Sequence, residues 1–419
     1  MVNNDNFTFF CRTKTGFGMN ALEHLPFDLS SMGSQKPLVL LDKCALLGGC
    51  IKPLARAFKE SEMTLGVCPP IEQTADTGGN LIQSDIEILR EFYQIYTDKG
   101  FDAIIALGIG RVADMAKALN IAVTLGPDTL KATRETNRKM TLNKPLSPFV
   151  YIPTGVGTGM ETHTLARFNG NTFTSPFLAP DLAVIDPDIL IPNSLDPNTL
   201  KMDASFPLIN AGLTCLSVCC EAHVLSGNPV ARAYATTGIG LIMENFLPLV
   251  NHLLAPTPPK RSDKKAMGNH QARLTHASVI TGILLSNCNT LISFQLGKRI
   301  AKQAGISPGQ AMAILLPAVL DHMADNRSDL GNLVRPLAGS EEFSRVPPSQ
   351  RPGLAIQKIQ GLLNELHQIS LGTLPRTLGD AGLDPATIKG LIQTILSDPA
   401  LPGLQLPGID PKQIQAILA

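Results

Sequence analysis

The chain changes its apolar rhythm once. Up to about residue 190, short apolar runs alternate with stretches whose apolar residues recur every three or four positions. Ala103–Leu107, AIIAL, is too short for a typical helix and has the length of a buried strand. Gly108 and Gly110 break that run. From Val112 apolar residues return at helical spacing, at Met115, Leu119 and Val123. Residues 37–42, 64–67, 149–154 and 182–186 read as further strands. Residues 54–58 and 82–99 read as helices, the second with Ile86, Leu89, Phe92 and Ile95 on one face. Residues 1–36 read as irregular, with a turn at Gly16-Phe17-Gly18. Strands alternating with helices predict an α/β region built on a doubly wound, mostly parallel sheet.

Beyond residue 190 β-branched runs become scarce and helical periodicity dominates. Residues 213–225, 230–249, 267–289 and 308–323 read as helices. Residues 255–265 read as an exposed connector and 343–353 as a proline-rich loop. Asp-Pro recurs at 196–197, 384–385 and 410–411, each time before a helical stretch. Asp as N-cap with Pro at the first helical position is a helix-start signal. The pattern predicts two domains, an α/β domain over 1–190 and an all-α domain over 191–419.

Composition narrows the class. The 419 residues are 44% hydrophobic and 17% charged, which suits a globular protein long enough for two cores. Lys plus Arg and Asp plus Glu are 35 each, so no charge excess favours nucleic acid or an anionic membrane as partner. No apolar run reaches the ~18 residues of a membrane span, and residues 1–16 lack the pattern of a signal peptide. The eight cysteines show no C-x-x-C pair. Reduced thiols in a cytoplasm fit them better than a disulfide framework, with Cys219 and Cys220 as small core residues.

Two glycine turns carry the candidate chemistry. Gly108-Ile109-Gly110 lies between a strand and a helix, where backbone N–H groups and a helix N-terminus can face a phosphate. Gly155-Val156-Gly157-Thr158-Gly159 follows the strand near residue 150, and glycine suits a backbone that approaches a ligand closely. Asp42 ends another strand. It reads either as a carboxylate for ribose hydroxyls or as a helix cap.

In order and spacing, these motifs resemble the iron-containing (group III) alcohol dehydrogenase family along most of the chain. ALGIGRVADMAK at 106–117 is similar to the family's ALGGGSxxDxAK, and PTGVGTGME at 153–161 to PTTAGTGSE. GLTCLSVCCEAHV at 212–224 is similar to GMDALTHAIEAYV, with Asn228-Pro229 after it. Residues 286–317 fit the family's SNxxLxxxHxxxHxLG…PHGxxNAxLLP segment without a gap, and LPRTL at 374–378 resembles its C-terminal PRTL.

The resemblance implies a dehydroquinate synthase-like fold and NAD(P)-dependent interconversion of alcohols and aldehydes. It also implies a homodimer or larger assembly of this chain. The family's nucleotide positions fall on Asp42, Gly108, Gly110, Arg111, Asp114, Lys117, Thr154, Gly157 and Thr158. Asp42 would favour NAD(H) over its 2′-phosphate form. Arg111 stands where the family has a serine, and could pair with phosphate or fill a pocket. The family's one iron or zinc ion is held by an Asp and three His. Those positions are Thr214, Val218, Phe294 and Pro308 here, so neither iron nor zinc is expected. Asp203 could supply a carboxylate in another register but would lack its His partner, and His223 reads as a core or interface residue.

A further family His, near the nicotinamide, falls on Lys298. It could serve a metal-independent reaction as proton or hydrogen-bond donor, or be a solvated residue in the basic run with Arg299 and Lys302. The alternative is a catalytically inactive homologue that binds a nucleotide or a partner.

Overall fold

The structure is a computed structural model that describes residues 6–71, 82–127, 129–130, 142, 144–168, 171–190, 207–254, 261–288, 291–324 and 329–396. It divides into two compact units, one over residues 11–194 and the other over residues 195–419 together with the N-terminal ten.

The α/β unit is built on a six-stranded parallel sheet. Its strands are β1 (Lys14–Phe17), β2 (Pro37–Leu41), β3 (Gly66–Val67), β4 (Ala103–Leu107), β5 (Phe149–Ile152) and β8 (Leu182–Ile185), in spatial order β1-β8-β5-β4-β2-β3. An antiparallel hairpin, β6 (Leu165–Phe168) with β7 (Asn171–Thr174), stands apart from it. β2 pairs with β4 from Pro37↔Ala103 to Leu41↔Leu107, and every residue of both strands is buried. Alternate residues serve opposite cores. Leu38, Leu40, Ile104 and Ala106 pack with α4 (Ile82–Asp98) and α5 (Arg111–Leu125). Val39, Leu41, Ile105 and Leu107 pack with Leu22, Leu25 and Leu29 on the other face. Burial on both faces is why these strands read as unbroken apolar runs.

Within the region expected to be irregular, residues 6–36 are more ordered than expected. Lys14–Phe17 forms the sheet edge, and a 3-10 turn at Ala21–His24 leads into α1 (Leu25–Ser31). The four edge residues are mostly exposed, so they carry no apolar signature; pairing with β8 makes them a strand. Two short helices, α2 (Lys43–Leu47) and α3 (Ile51–Ala57), follow β2. The β6–β7 hairpin was also not expected. Its strands are four residues each, too short to show a period.

The helical unit contains α6 (Pro207–Leu225), α7 (Pro229–Leu254), α8 (Arg261–Asn287), α9 (Ile292–Ala304), α10 (Pro308–Ala324), α11 (Val334–Arg345), α12 (Arg351–Ile369) and α13 (Pro385–Leu396). Residues 6–10 go with it. The Phe10 N–H donates to Asn287 Oδ1 at 2.7 Å, and the Phe9 ring stacks on Tyr234 with centroids 5.5 Å apart. α6 is long and apolar enough to cross a membrane by length and composition, yet its side chains are buried within the unit. Residues 261–265 of the expected connector are helical. The 343–353 segment shrinks to a short turn, because Pro348 and Pro352 sit in the first turns of helical segments, where a missing N–H costs nothing. Asp384 caps α13 by accepting from the Thr387 N–H at 2.6 Å. Residues 196–197, 203 and 410–411, and most of the basic 127–145 segment, lie outside the described residues. All eight cysteines are free thiols, with Cys219 and Cys220 buried.

Candidate functional site

The chain reverses direction across the sheet between β2 and β4. β2 connects outward to β3 at one edge; β4 connects outward to β5 on the other side. In open parallel sheets the crevice at the C-terminal ends of two such strands is where ligands bind. Here those ends carry Asp42 and the Gly108–Gly110 turn.

Asp42 bridges the two strand ends. Its Oδ1 accepts the Ala45 N–H at 2.6 Å, which caps α2, and its Oδ2 accepts the Ile109 N–H at 2.9 Å. The residue is fully buried. Of the two readings open for Asp42, the cap is present; each carboxylate oxygen has two lone pairs, so capping does not exclude a further donor. Gly108 has φ +144°, and a Cβ there would lie 2.1 Å from Asp42 Oδ2. A side chain is excluded twice over, by backbone conformation and by the carboxylate. Gly110 is exposed and N-caps α5 with no side-chain cap, so the helix N-terminus opens at the crevice.

Three family-motif residues turn out to work inside the fold. Arg111 forms an ion pair with Asp85 of α4, both half-buried. Lys117 is fully buried. Its ammonium donates to the carbonyls of His163 at 2.7 Å and Leu165 at 2.9 Å, strapping the end of the second glycine loop to α5. Burial pushes its pKa down to about 8, against the opposing pull of Asp114 and Glu161. Asp114 accepts the Arg167 N–H at 2.8 Å, so α5 also holds β6. Thr154 and Gly157 are buried and Thr158 is half-buried in the second loop.

In the helical unit, Thr214 Oγ1 donates to the Asn210 carbonyl at 2.8 Å, and Val218 is fully buried. α10 crosses α6 closely here. The Gly309 N–H donates to Asn210 Oδ1 at 2.8 Å, and a Cβ on Gly309 would lie 2.1 Å from the Asn210 carbonyl oxygen. Ser307 and Gln310 make a reciprocal capping box, 2.9 and 3.3 Å, that starts α10 at Pro308. On α9 the Lys298 ammonium sits 3.6 Å from the centroid of the Phe294 ring.

Sequence reasoning missed Glu221. This buried carboxylate of α6 accepts the Ile292 N–H at 2.5 Å and the Ser293 N–H at 2.9 Å, together with the Ser293 hydroxyl. It caps α9, the helix that carries Phe294 and Lys298. Burial raises its pKa from 4.5 to about 7 despite those three donors. A single Glu in an apolar helical run was the available signal. His223 is a core residue as expected, its Nδ1 3.1 Å from Thr236 Oγ1 and its pKa pushed down to about 4 by burial.

Comparison with known proteins bears on the fold. The family profile described as iron-containing alcohol dehydrogenase matches residues 12–187. That span of the chain is similar to the iron-containing alcohol dehydrogenase family. The chain is 26% identical to the probable alcohol dehydrogenase EutG of Salmonella typhimurium, over 93% of this chain and 89% of that protein. It is 25% identical to the NAD-dependent methanol dehydrogenase of Bacillus methanolicus, over 57% of this chain and 58% of that protein. The solved alcohol dehydrogenase from Oenococcus oeni shares the fold, with a TM-score of 0.75 at 18% identity over 99% of each chain.

The iron-containing alcohol dehydrogenase fold implies an ion in the helical unit, and the residues here do not fit one. At the four corresponding positions stand a threonine hydroxyl spent on its own helix, a buried valine, a phenylalanine and a proline. None offers the carboxylate or imidazole donors that such a cation takes. The Phe294 ring instead lies against a lysine ammonium. Among the described residues no group of three or more His, Cys, Asp or Glu could hold an ion.

Proposed function

We propose that the protein is a nicotinamide-nucleotide-dependent oxidoreductase that interconverts a small alcohol and its aldehyde without the ion of its family. The observation that carries this reading is the crevice between β2 and β4. There a glycine turn that excludes side chains meets the uncapped N-terminus of a fifteen-residue helix. In this reading Gly110 and the first turn of α5 would hold the pyrophosphate, because the Gly108 and Ile109 N–H groups are taken by the Ile152 carbonyl and Asp42. Arg111 would pair with a phosphate oxygen, and Thr154, Gly157 and Thr158 would help hold the nucleotide from the second loop. NAD(H) is the proposed cofactor.

Bound NAD(H) would supply hydride exchange with the alcohol carbon, and the hydroxyl proton would pass to solvent water. A cation near that oxygen favours the proton's departure. We assign that task to Lys298. The Phe294 ring beneath it stabilises the ammonium, so it acts as a fixed positive charge and N–H donor.

Titration with NADH, followed by nicotinamide fluorescence after chelator treatment, tests the reading. The chain has no tryptophan, so protein background is low. Saturable micromolar binding supports it. No binding by a folded protein overturns it in favour of an inactive, partner-binding homologue. Loss of aldehyde reduction in Lys298→Met with NADH binding intact supports the role of Lys298; full turnover in that variant removes it.

A further inference from the structure

His252 on α7 and His270 on α8 lie beside each other, with ring centroids 6.2 Å apart and planes tilted by 42°. Their hydrogen bonds decide which nitrogen of each ring carries the proton. His252 Nδ1 lies 2.6 Å from the Pro248 carbonyl oxygen, which can only accept, so this nitrogen bears the hydrogen. His270 Nδ1 lies 2.9 Å from Asn245 Oδ1. The Asn245 amide is oriented by its own Nδ2, which donates to the Leu241 carbonyl at 2.8 Å. Its oxygen therefore faces His270, and that Nδ1 is also the donor. Both rings are left with a lone pair on Nε2, and no bond from a described residue occupies either one.

We propose that His252 and His270 form a two-imidazole binding site for a late first-row divalent cation such as Zn²⁺, Ni²⁺ or Cu²⁺, with water completing the shell. Histidine ligands of such ions characteristically donate the other ring N–H to a carbonyl or carboxylate, which fixes the ring and raises its basicity. Both rings here have that support already. A tetrahedral ion with two Zn–N bonds of ~2.0–2.1 Å needs ring centroids about 5 Å apart. The observed 6.2 Å closes with a shift of about 1 Å, small for two half-buried side chains. The site lies on α7 and α8, away in sequence from Thr214, Val218, Phe294 and Pro308, and does not depend on the oxidoreductase reading. Imidazole donors select ions at the upper end of the divalent affinity order, so Cu²⁺ binds tightest and Mg²⁺ not at all.

The full-length, chelator-treated protein is titrated with Zn²⁺ by calorimetry, and with one equivalent of Cu²⁺ for electron paramagnetic resonance. One Zn²⁺ equivalent is expected, with nitrogen hyperfine structure from two imidazoles. His252→Ala and His270→Ala should each weaken Zn²⁺ at least about tenfold, and Asn245→Leu, which removes an orienting acceptor, about tenfold. His367→Ala, on α12, should change nothing. No Zn²⁺ binding overturns the proposal. So does binding that survives both histidine variants, or a spectrum with one nitrogen or none. Circular dichroism of each variant separates lost binding from lost fold.

Discussion

The two units of this chain have kept different things. In the α/β unit the glycine turns of the family stand in a crevice at the sheet's switch point, and the family profile matches from residue 12 to residue 187. In the helical unit the positions that the resemblance gives to the ion's donors are Thr214, Val218, Phe294 and Pro308, where α6 and α10 cross closely and an ammonium rests on an aromatic ring. The difference follows from what each site is made of. A phosphate turn is mostly backbone, so its chemistry persists while the fold persists. A metal site is made of side chains, and each can change while the helix beneath it stays.

The sharpest way to break this comparison is to give the backbone site a side chain. Gly108→Val forces φ +144° on a β-branched residue and drives its Cβ into Asp42. We expect a loss of about 3 kcal/mol or more by urea denaturation, and loss of NADH binding in whatever remains folded. Unchanged binding would mean that this turn is not the phosphate site.

The next effect is one of pH, and it belongs to the helical unit. Glu221 titrates near 4.5 when unfolded and at about 7 when folded. Between these values the folded state holds the extra proton. The stabilising contribution is therefore full below pH 4.5 and lost as pH rises through 7. Relative to wild type, Glu221→Gln should gain on the order of 2–3 kcal/mol between pH 5 and pH 8, read as a difference of denaturation curves. A pH-independent difference would show that Glu221 is ionised throughout.

Gly309→Ala tests whether the α6–α10 crossing now does the work of holding the site together. The added carbon meets a backbone oxygen that cannot rotate away, so a loss of about 1–3 kcal/mol is expected in thermal melts. An unchanged melting temperature would argue for a loose crossing with room for a ligand.

Asp42→Asn should cost about 1–2 kcal/mol. The amide keeps one acceptor for Ala45 or Ile109 and leaves the other N–H facing an NH₂ group. Chemical denaturation reads this loss, and a neutral result would mean water replaces the second bond. The smallest effect expected is a gain. Asp85→Asn releases Arg111 from its ion pair and should tighten NADH binding a few-fold, in line with ~1 kcal/mol or less for a partly exposed pair. Weaker binding would show that Asp85 positions the arginine for phosphate instead of competing with it.

Much of this molecule was legible without coordinates. Ala103–Leu107 is bounded as expected because a strand buried on both faces must be apolar at every position, and glycine must end it. The change of character near residue 190 follows from the same logic, since strands and helices bury residues at different periods. Those patterns are local, and so are the Ser307-Pro308 and Asp384-Pro385 helix starts. The tertiary structure decided the tasks of the charged residues. Asp42 meets Ile109 from 67 positions away, Arg111 meets Asp85 from 26, and Lys117 meets His163 from 46. A motif names the side chain but not its partner. A buried charge takes whichever partner the packing brings within hydrogen-bond distance, because leaving it unpaired costs more than any role the motif suggests.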